Sequence, residues 1–235
     1  MATTEHEHTA LAPDDLRIAR PIFTLRETSG YLGVPNSTIH QWARPSGGRS
    51  ALITAFPRRG REATVPFIGF AEAFVLAAFR RAGVPLQRIR PAVDVLEREI
   101  GLEHALASEH LYTDGAEVLY DFASERSDED LLELVVLRTG QKQFSELVRG
   151  YLRRITYGDD GWASRVELPA YGRAHVIVDP RVAFGLPLVT DGGARVEDLV
   201  DRFLAGDTIS DIADDFGVPV DQVEDVIRVA TRTAA

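Results

Sequence analysis

Cysteine is absent from the 235-residue chain, which excludes disulfide frameworks, thiolate zinc sites and thiol catalysis and suits a reducing compartment. No apolar run approaches the ~18–20 residues that span a bilayer. The N-terminus, MATTEHEHTALAPDD, lacks the basic-then-apolar order of a signal peptide. No phosphate-binding glycine loop or metal-ligand spacing occurs. We therefore expect a cytoplasmic protein that needs no cofactor and no metal.

The net charge of −10 hides an asymmetry along the chain. Residues 1–100 balance at +3, whereas residues 101–235 balance at −13. Lysine occurs once, so 25 of the 26 cationic side chains are arginine, the residue better suited to bidentate phosphate or carboxylate contacts. Residues 36–66 carry a local +4, and residues 191–230 hold eleven acidic groups against three arginines. The first part therefore favours an anionic partner such as DNA, and the last part disfavours one.

Residues 24–42 have the pattern of a helix-turn-helix. Thr24 and Glu27 form a capping box that opens a first helix, and Gly33-Val34-Pro35 ends it. The second helix would bury Ile39 and Trp42 and present its other side chains outward. We expect these to read DNA in the major groove: Ser37, Thr38, His40, Gln41 and Arg44.

A cationic hairpin, the expected wing, follows the second helix. Strand-type segments at 51–56 and 64–67 flank the turn-forming residues 57–61. A reading helix and a positively charged wing are two independent requirements for binding groove and backbone together. The predicted backbone contacts are Arg49, Arg58, Arg59 and Arg61.

The complete pattern predicts an α+β protein with four segments. These are a disordered leader (1–15), a winged helix-turn-helix (16–105), an α+β middle domain (106–190) and a C-terminal three-helix bundle of helix-turn-helix type (191–235). In the middle domain we expect a hairpin whose turn is Asp114-Gly115 and whose second strand is the alternating segment 117–122. We also expect a strand at 131–138, a helix at 144–155 and strands within 156–178. Together they would form a small antiparallel sheet backed by one helix.

The chain is expected to be a homodimer, because a two-fold pair reads two half-sites. One candidate interface is the C-terminal bundle. The other is an apolar seam on a helix over residues 86–100, formed by Leu86, Ile89, Val93, Leu96 and Ile100.

The C-terminal segment repeats the N-terminal helix-turn-helix without a gap at an offset of 184 residues. Thr208 falls on Thr24, and Gly217-Val218-Pro219 falls on Gly33-Val34-Pro35. The outward positions differ, because Ser37, Thr38, His40 and Gln41 become Asp221, Gln222, Glu224 and Asp225. Carboxylates on the approach face oppose docking on phosphates. We expect this second copy to bind protein, or to be a merely solvated surface, and not to bind DNA.

Residues 22–100 resemble the winged helix-turn-helix of MerR-like regulators. The matching segments are Ile22-Phe23-Thr24-Leu25-Arg26-Glu27, Leu32-Gly33-Val34-Pro35, Trp42 and the stretch FRRAGVPLQRIR at 79–90. The chain lacks the cysteines of the metal-sensing members. Pro91 falls where those members run a continuous dimer helix.

Residues 175–230 resemble a small domain of unknown function found in VapB-type antitoxins encoded beside PIN-like ribonuclease toxins. The matching segments are VDPRVAFGLP at 178–187, LAGDTI at 204–209 and IADDFG at 212–217. The combination of domains, with its arginine bias, resembles a VapB-family antitoxin of the mycobacterial type. The resemblance implies an antitoxin that binds operator DNA as a dimeric autorepressor and neutralises a PIN-like toxin.

A PIN-like active site is a cluster of carboxylates around a divalent metal, and an inhibitor typically inserts arginine into such a site. Arg173 and Arg181 are the candidates for this role, although both could instead pair with nearby acids. Asp221, Glu224 and Asp225 are the candidate acidic contacts to a partner protein.

Two other functions remain open. The first is a MerR-like regulator without a toxin, whose middle domain binds a small ligand between Tyr112, Tyr120, Phe122, Trp162 and Tyr171. The second is an enzyme, which we do not expect. The adjacent carboxylates Asp159-Asp160 and Asp214-Asp215 point in different directions on a strand or helix, so neither pair forms an acid/base couple.

Overall fold

Helices and short antiparallel sheets alternate along the chain, in the predicted α+β class. The computed structural model describes residues 10–48, 50–57, 60, 62–100, 103–138 and 141–234. Residues 1–9 of the predicted leader lie outside this set, and Asp15 at its end caps the first helix by accepting from the Arg17 backbone N–H. The N-terminal elements are α1 (Leu16–Ala19), β1 (Pro21–Phe23), α2 (Leu25–Leu32), α3 (Asn36–Trp42), β2 (Val65–Pro66), α4 (Phe67–Arg81) and α5 (Leu86–Ile100).

The helix-turn-helix forms as predicted by its capping residues. The Thr24 side chain accepts from the Glu27 backbone N–H while the Glu27 carboxylate accepts from the Thr24 backbone N–H, which completes the capping box. Gly33 ends α2 in the left-handed region at φ 60°, where a residue with a β-carbon is strained. Its N–H donates to the carbonyl of Gly30.

The predicted wing is not a regular hairpin. Residues 51–57 form no strand, and β2 pairs with β1 instead of with them. Among the described residues of the wing, the Phe56 N–H donates to the Thr64 carbonyl at 2.7 Å and joins the two sides. The first side is irregular because the buried Leu52 and Ile53 both donate to the Trp42 carbonyl, which folds this segment back onto α3.

The middle of the chain is more helical than predicted. It contains α6 (Glu109–Thr113), α7 (Gly115–Arg126), α8 (Glu129–Leu132), β3 (Val135–Arg138), β4 (Gln141–Phe144), α9 (Glu146–Leu152), β5 (Ile155–Tyr157), β6 (Ala163–Leu168), β7 (Val176–Val178) and β8 (Leu188–Val189). Strands β5, β6, β7 and β8 form one antiparallel sheet in that order, which confirms the small sheet. Single 3₁₀ turns lie at 105–107, 169–171 and 183–185.

The hairpin predicted at Asp114-Gly115 is wrong, because these residues join α6 to α7. Alternation over 117–122 suggested a strand, yet Ala116, Leu119 and Ala123 are buried at the helical spacing of three and four. That buried stripe lies on α7, which packs against α5. Burial of a helical face thus overrode the local turn signal. Similarly, the strand predicted at 131–138 begins only at Val135, and the helix predicted at 144–155 is limited to α9.

The apolar seam of α5 belongs to the chain's own core. Ile89, Val93 and Leu96 are buried, and α5 packs against α7 and the turn at 105–107. The seam is therefore not free to hold a second copy, and the dimer interface predicted there is wrong. The helix runs through Pro91, which lies in its interior and not in its first turn.

The C-terminal three-helix bundle is present as predicted. Its helices are α10 (Val196–Leu204), α11 (Ile209–Phe216) and α12 (Val220–Ala234). Helix α12 packs against α10, α11 and the turn at 169–171, which attaches the bundle to the four-stranded sheet region. No helix in the described part of the chain is long and apolar enough to cross a membrane.

Candidate nucleic-acid interface

Helix α3 has one polar, solvent-facing side and one apolar side that packs in the core. Ile39 and Trp42 are buried in the core, while Ser37, Gln41 and Arg44 are exposed and His40 is half-buried. Thr38 is only 7% exposed, so the prediction that it faces outward is wrong. It precedes Trp42 by four residues and therefore lies on the same buried face of the helix.

The predicted wing arginines lie outside the described residues. This applies to Arg49, Arg58, Arg59 and Arg61, so their contact with DNA stays a prediction. The root of the wing is described, and it is fixed to the helix-turn-helix by the Thr64 N–H, which donates to the Phe23 carbonyl at 2.8 Å.

A cleft of about 200 Å³ separates the wing from the two helices. Arg26 of α2, Asn36 and His40 of α3, and Gly60 and Glu62 of the wing line it. Arg26 and Asn36 are not among the DNA contacts predicted from the sequence. Their positions near the starts of α2 and α3 are the sequence feature that could indicate such contacts. Arg26, Asn36 and His40 can each donate a hydrogen bond to a phosphate or a base edge.

A buried carboxylate anchors the segment that leads to the wing. Glu72 of α4 is 3% exposed and accepts from the Thr54 backbone N–H at 2.5 Å and from the Thr54 hydroxyl at 3.2 Å. Its other contact is the Nδ1 atom of His104 at 2.8 Å. Burial opposes protonation of the imidazole, but the hydrogen bond to Glu72 and the charges of Glu72, Glu103 and Glu97 outweigh it and raise the pKa of His104.

Two arginines outside the helix-turn-helix hold the C-terminal ends of its helices. Arg81 of α4 donates from Nη2 to the Leu32 carbonyl at 2.6 Å. Arg90 of α5 donates from Nη2 to the Gln41 carbonyl at 2.7 Å. Both arginines lie in the 79–90 stretch of the MerR-like resemblance, but no local sequence pattern indicates these contacts.

The C-terminal bundle contains the predicted second copy of this scaffold. Thr208 caps α11 by accepting from the Asp211 backbone N–H, as Thr24 caps α2. Gly217 ends α11 at φ 63°, against 60° for Gly33. Helices α11 and α12 therefore begin at the positions that the offset of 184 residues predicts.

One position on the reading face of this second copy, Asp225, is covered by the chain itself. Asp225 is 4% exposed, and its carboxylate accepts from the Arg173 backbone N–H at 2.9 Å, from Arg173 Nε at 3.0 Å and from Arg228 Nη1 at 2.5 Å. A β-carbon on Gly172 would lie 2.8 Å from the same carboxylate. The hydrogen bonds from Arg173 lower the pKa of Asp225 well below its usual range. The prediction that Asp225 is an exposed contact is wrong.

The other predicted partner contacts differ in accessibility. Gln222 is buried, contrary to its predicted outward position. Asp221 and Glu224 are about half-exposed and pair with Arg173 at 3.3 and 3.8 Å. Arg181 pairs with the buried Asp179 at 3.2 Å while its side chain stays 65% exposed. The arginines thus make ion pairs within the chain, and their toxin contacts stay predictions.

The five aromatic residues suggested for a ligand pocket do not meet in one cavity. Trp162 lies edge-on to His104, and Tyr171 is buried near Tyr31. Tyr112 lines a separate cavity of about 480 Å³ together with Lys142 and Arg149. Of the acids considered for catalysis, Asp160 pairs with Arg17 at 2.5 Å. Among the described residues, no group of three or more His, Asp or Glu side chains could hold a metal ion.

Comparison with known proteins agrees with both halves of this architecture. Residues 21–93 match the family described as "Putative DNA-binding HTH domain", and residues 176–230 match "Protein of unknown function (DUF433)". A Mycobacterium tuberculosis (strain ATCC 25618 / H37Rv) protein named "Putative antitoxin VapB45" is 46% identical over 228 residues, which cover 91% of this chain and 95% of that protein.

A solved structure has the same fold. The crystal structure titled "X-ray crystal structure of Rv2018 from Mycobacterium tuberculosis" has 47% sequence identity and a TM-score of 0.81, and the match covers 90% of this chain and 100% of that one. The predicted helix-turn-helix is thereby confirmed, while its MerR-like character stays a prediction. With this identity and coverage, the chain belongs to the VapB antitoxin family and carries a helix-turn-helix DNA-binding domain at its N-terminus.

Proposed function

We propose that this antitoxin represses its own operon by binding operator DNA as a homodimer, and that it neutralises a PIN-like ribonuclease toxin encoded beside it. The exposed face of α3 carries the proposal. Ser37 and Gln41 are exposed there and Arg44 is exposed just beyond its end, so this region offers hydrogen-bond donors and a cation, and α3 itself carries no carboxylate. Such a face favours docking in the major groove of an anionic duplex.

The operator contacts divide into two classes. Ser37, His40 and Gln41 read base edges, and arginines contact phosphates. Arg44 and the wing arginines Arg49, Arg58, Arg59 and Arg61 belong to the second class, and Arg26 joins them because it lines the cleft beside His40.

The homodimer forms through the C-terminal bundle. The seam of α5 is used inside the chain, which leaves the bundle as the remaining candidate. Leu204 and Val220 are exposed apolar side chains on it, and a second copy packed against the bundle would remove them from water. A two-fold pair would place two α3 helices over two half-sites.

The toxin contacts come from the C-terminal half, with Arg181, Asp221 and Glu224 as the exposed candidates. Arg173 is paired with Asp225, as Arg181 is with Asp179, but its side chain is 54% exposed, so it is a further candidate. The protein acts in the cytoplasm as a binding protein and not as an enzyme, which agrees with the name of its relative.

Two measurements test the proposal. Fluorescence anisotropy compares the duplex upstream of the chain's own gene with a scrambled duplex of equal length, between 50 and 200 mM salt. We expect a preference for the upstream duplex and a steep loss of affinity with salt.

Co-expression of the tagged chain with the untagged product of the adjacent gene should copurify the two. Equal affinity for both duplexes contradicts autorepression, and failure to copurify contradicts toxin capture.

A second candidate function is a ligand-responsive regulator without a toxin. The cavity of about 480 Å³ lined by Tyr112, Lys142 and Arg149 favours it, because it is large enough for a small ligand. Glu117 also lines it, and its carboxylate lies 3.8 Å from Lys142. A clean homo-oligomer that binds DNA, with no copurifying neighbour, would support this candidate over the antitoxin.

A further inference from the structure

We propose that Arg90 is a positioning residue for DNA reading, which fixes the end of α3 and the root of the wing from α5 without contacting DNA itself. The proposal rests on the proposed binding of DNA by α3. It adds a residue that lies outside the helix-turn-helix and that would otherwise be counted among the phosphate-binding arginines.

The guanidinium of Arg90 bridges three backbone carbonyls. Its Nη2 donates to the carbonyl of Gln41 at 2.7 Å and to that of Arg44 at 3.3 Å, and its Nη1 donates to that of Ser50 at 3.3 Å. The last carbonyls of a helix have no partner within the helix, and a cation is favourable there. Arg90 therefore satisfies the C-terminal end of α3 and ties it to the segment that begins the wing.

The tied segment is already folded against α3. The Leu52 N–H donates to the Trp42 carbonyl at 2.7 Å, and the Ala43 N–H donates to the Ile39 carbonyl at 3.0 Å. Arg90, on α5, adds its hydrogen bonds to the carbonyls of the same turn. Its own backbone is rigidly held, because the neighbouring Ile89 is buried in the core. A fixed element thus sets the angle between the reading helix and the wing.

The geometry requires an arginine. A planar fork can reach two carbonyls on one side and a third on the other, whereas the ammonium of a lysine is a single point of charge. Arg81 makes the corresponding contact at the end of α2, with the Leu32 carbonyl. Each helix of the pair is therefore held at its C-terminal end by an arginine from the next helical layer.

The two possible roles of Arg90, positioning α3 and contacting a phosphate, predict different effects of its loss on DNA affinity. Loss of one phosphate contact lowers the slope of log affinity against log salt by about 0.9 and weakens all duplexes about equally. Loss of positioning misplaces the base-reading side chains, so it weakens the upstream duplex more than a scrambled one and leaves the slope unchanged. Base contacts depend on geometry more strictly than backbone contacts do.

The experiment compares Arg90→Lys, which keeps the charge, with the matched control Arg88→Lys in the full chain. Arg88 lies on the same helix and pairs with Asp128 and not with α3. Hydrogen exchange of the free protein comes first and needs no DNA. We expect exchange at the Ala43 and Leu52 amides to be at least about 5-fold faster in Arg90→Lys and unchanged in Arg88→Lys.

Anisotropy then uses the upstream and scrambled duplexes. We expect the ratio of their affinities to fall about 10-fold in Arg90→Lys. A simple phosphate contact would leave this ratio unchanged, because lysine keeps the charge. Unchanged amide exchange overturns the positioning role whatever happens with DNA. The wild type must first prefer the upstream duplex. If amide exchange is then faster in Arg90→Lys but the affinity ratio is unchanged, Arg90 positions the helix without affecting DNA sequence recognition, and the proposal is overturned. A wild type without such a preference contradicts the proposed function itself and, with it, any role of Arg90 in reading DNA.

Discussion

Arg173 donates two hydrogen bonds to one oxygen of Asp225, from its backbone N–H at 2.9 Å and from Nε at 3.0 Å. Asp225 occupies the position in the second helix-turn-helix that Gln41 occupies in the first. One scaffold therefore has two uses in this chain. In the first copy this position is exposed and available to DNA, whereas in the second it holds a loop of the same chain.

Asp225→Asn should destabilise the C-terminal bundle by about 1.5–3 kcal/mol, because charge-assisted hydrogen bonds from two arginines are lost or weakened. Glu224→Gln is the matched control, since Glu224 lies on the same helix and is about half-exposed. Its effect should stay within about 0.5 kcal/mol. Urea unfolding of both variants measures the difference, and equal stability of the two would show that the buried pair contributes nothing.

The same carboxylate should make the bundle sensitive to acid. The pKa of Asp225 is lowered in the folded state, so its contribution to stability is present above the unfolded value of about 4 and is lost as the pH falls toward the folded value. The stability gap between wild type and Asp225→Asn should therefore narrow below about pH 4. A gap that stays constant down to pH 2 would contradict this origin.

The root of the wing should respond to alkaline pH. Because the pKa of His104 is raised in the folded state, the pair with Glu72 stabilises the protein fully below about pH 6.5 and loses this effect as the pH rises through the folded pKa. The stability gap between wild type and His104→Gln should shrink from pH 6 to pH 9. An unchanged gap over that range would rule out a charged His104–Glu72 pair as its origin.

The α5 seam should behave as core and not as an interface. Leu96→Ala removes a fully buried side chain and should cost about 2–5 kcal/mol of unfolding free energy. Light scattering at tens of micromolar should give the same molar mass as for the wild type. A monomeric variant of unchanged stability would restore the seam as a dimer contact.

Substitutions on α3 should change the DNA sequence preference, whereas substitutions on the wing should change the electrostatic affinity for any duplex. His40→Ala or Gln41→Ala should change the preference among DNA sequences. Arg58→Ala or Arg59→Ala should weaken all duplexes and lower the salt slope by about 1 each. Competition binding against a randomised duplex pool measures both effects. Full affinity in a protein with Arg49, Arg58, Arg59 and Arg61 all changed to Ala would rule out a DNA-binding wing.

The second helix-turn-helix should bind protein and not DNA. Changing Asp221 and Glu224 to Ala removes two carboxylates near the face that Arg173 covers. We expect unchanged or slightly raised operator affinity, since like-charge repulsion falls, and weaker capture of the neighbouring gene product. A large loss of operator affinity would show that this helix reads DNA after all.

The sequence determined both helix-turn-helix units and their boundaries. Their signals are local: a threonine cap with an acid three residues later, a glycine that must adopt positive φ, and apolar side chains at helical spacing. These features act within one or two turns of chain, so the offset of 184 residues correctly aligned Gly33 with Gly217. The sequence also placed Ser37, Gln41, Asp221 and Glu224 correctly on the outward faces.

Tertiary structure alone decided which polar residues are buried and which segments become strands. Asp225 is inaccessible because Arg173, 52 residues earlier, packs onto it, and nothing near Asp225 in the sequence indicates this. Residues 117–122 form a helix because their buried stripe meets α5, although their alternation fits a strand equally well. The contacts of Arg90 likewise join residues 40–49 positions apart. Long-range packing selects among conformations that local preferences leave nearly equal in free energy, so only the folded chain could distinguish them.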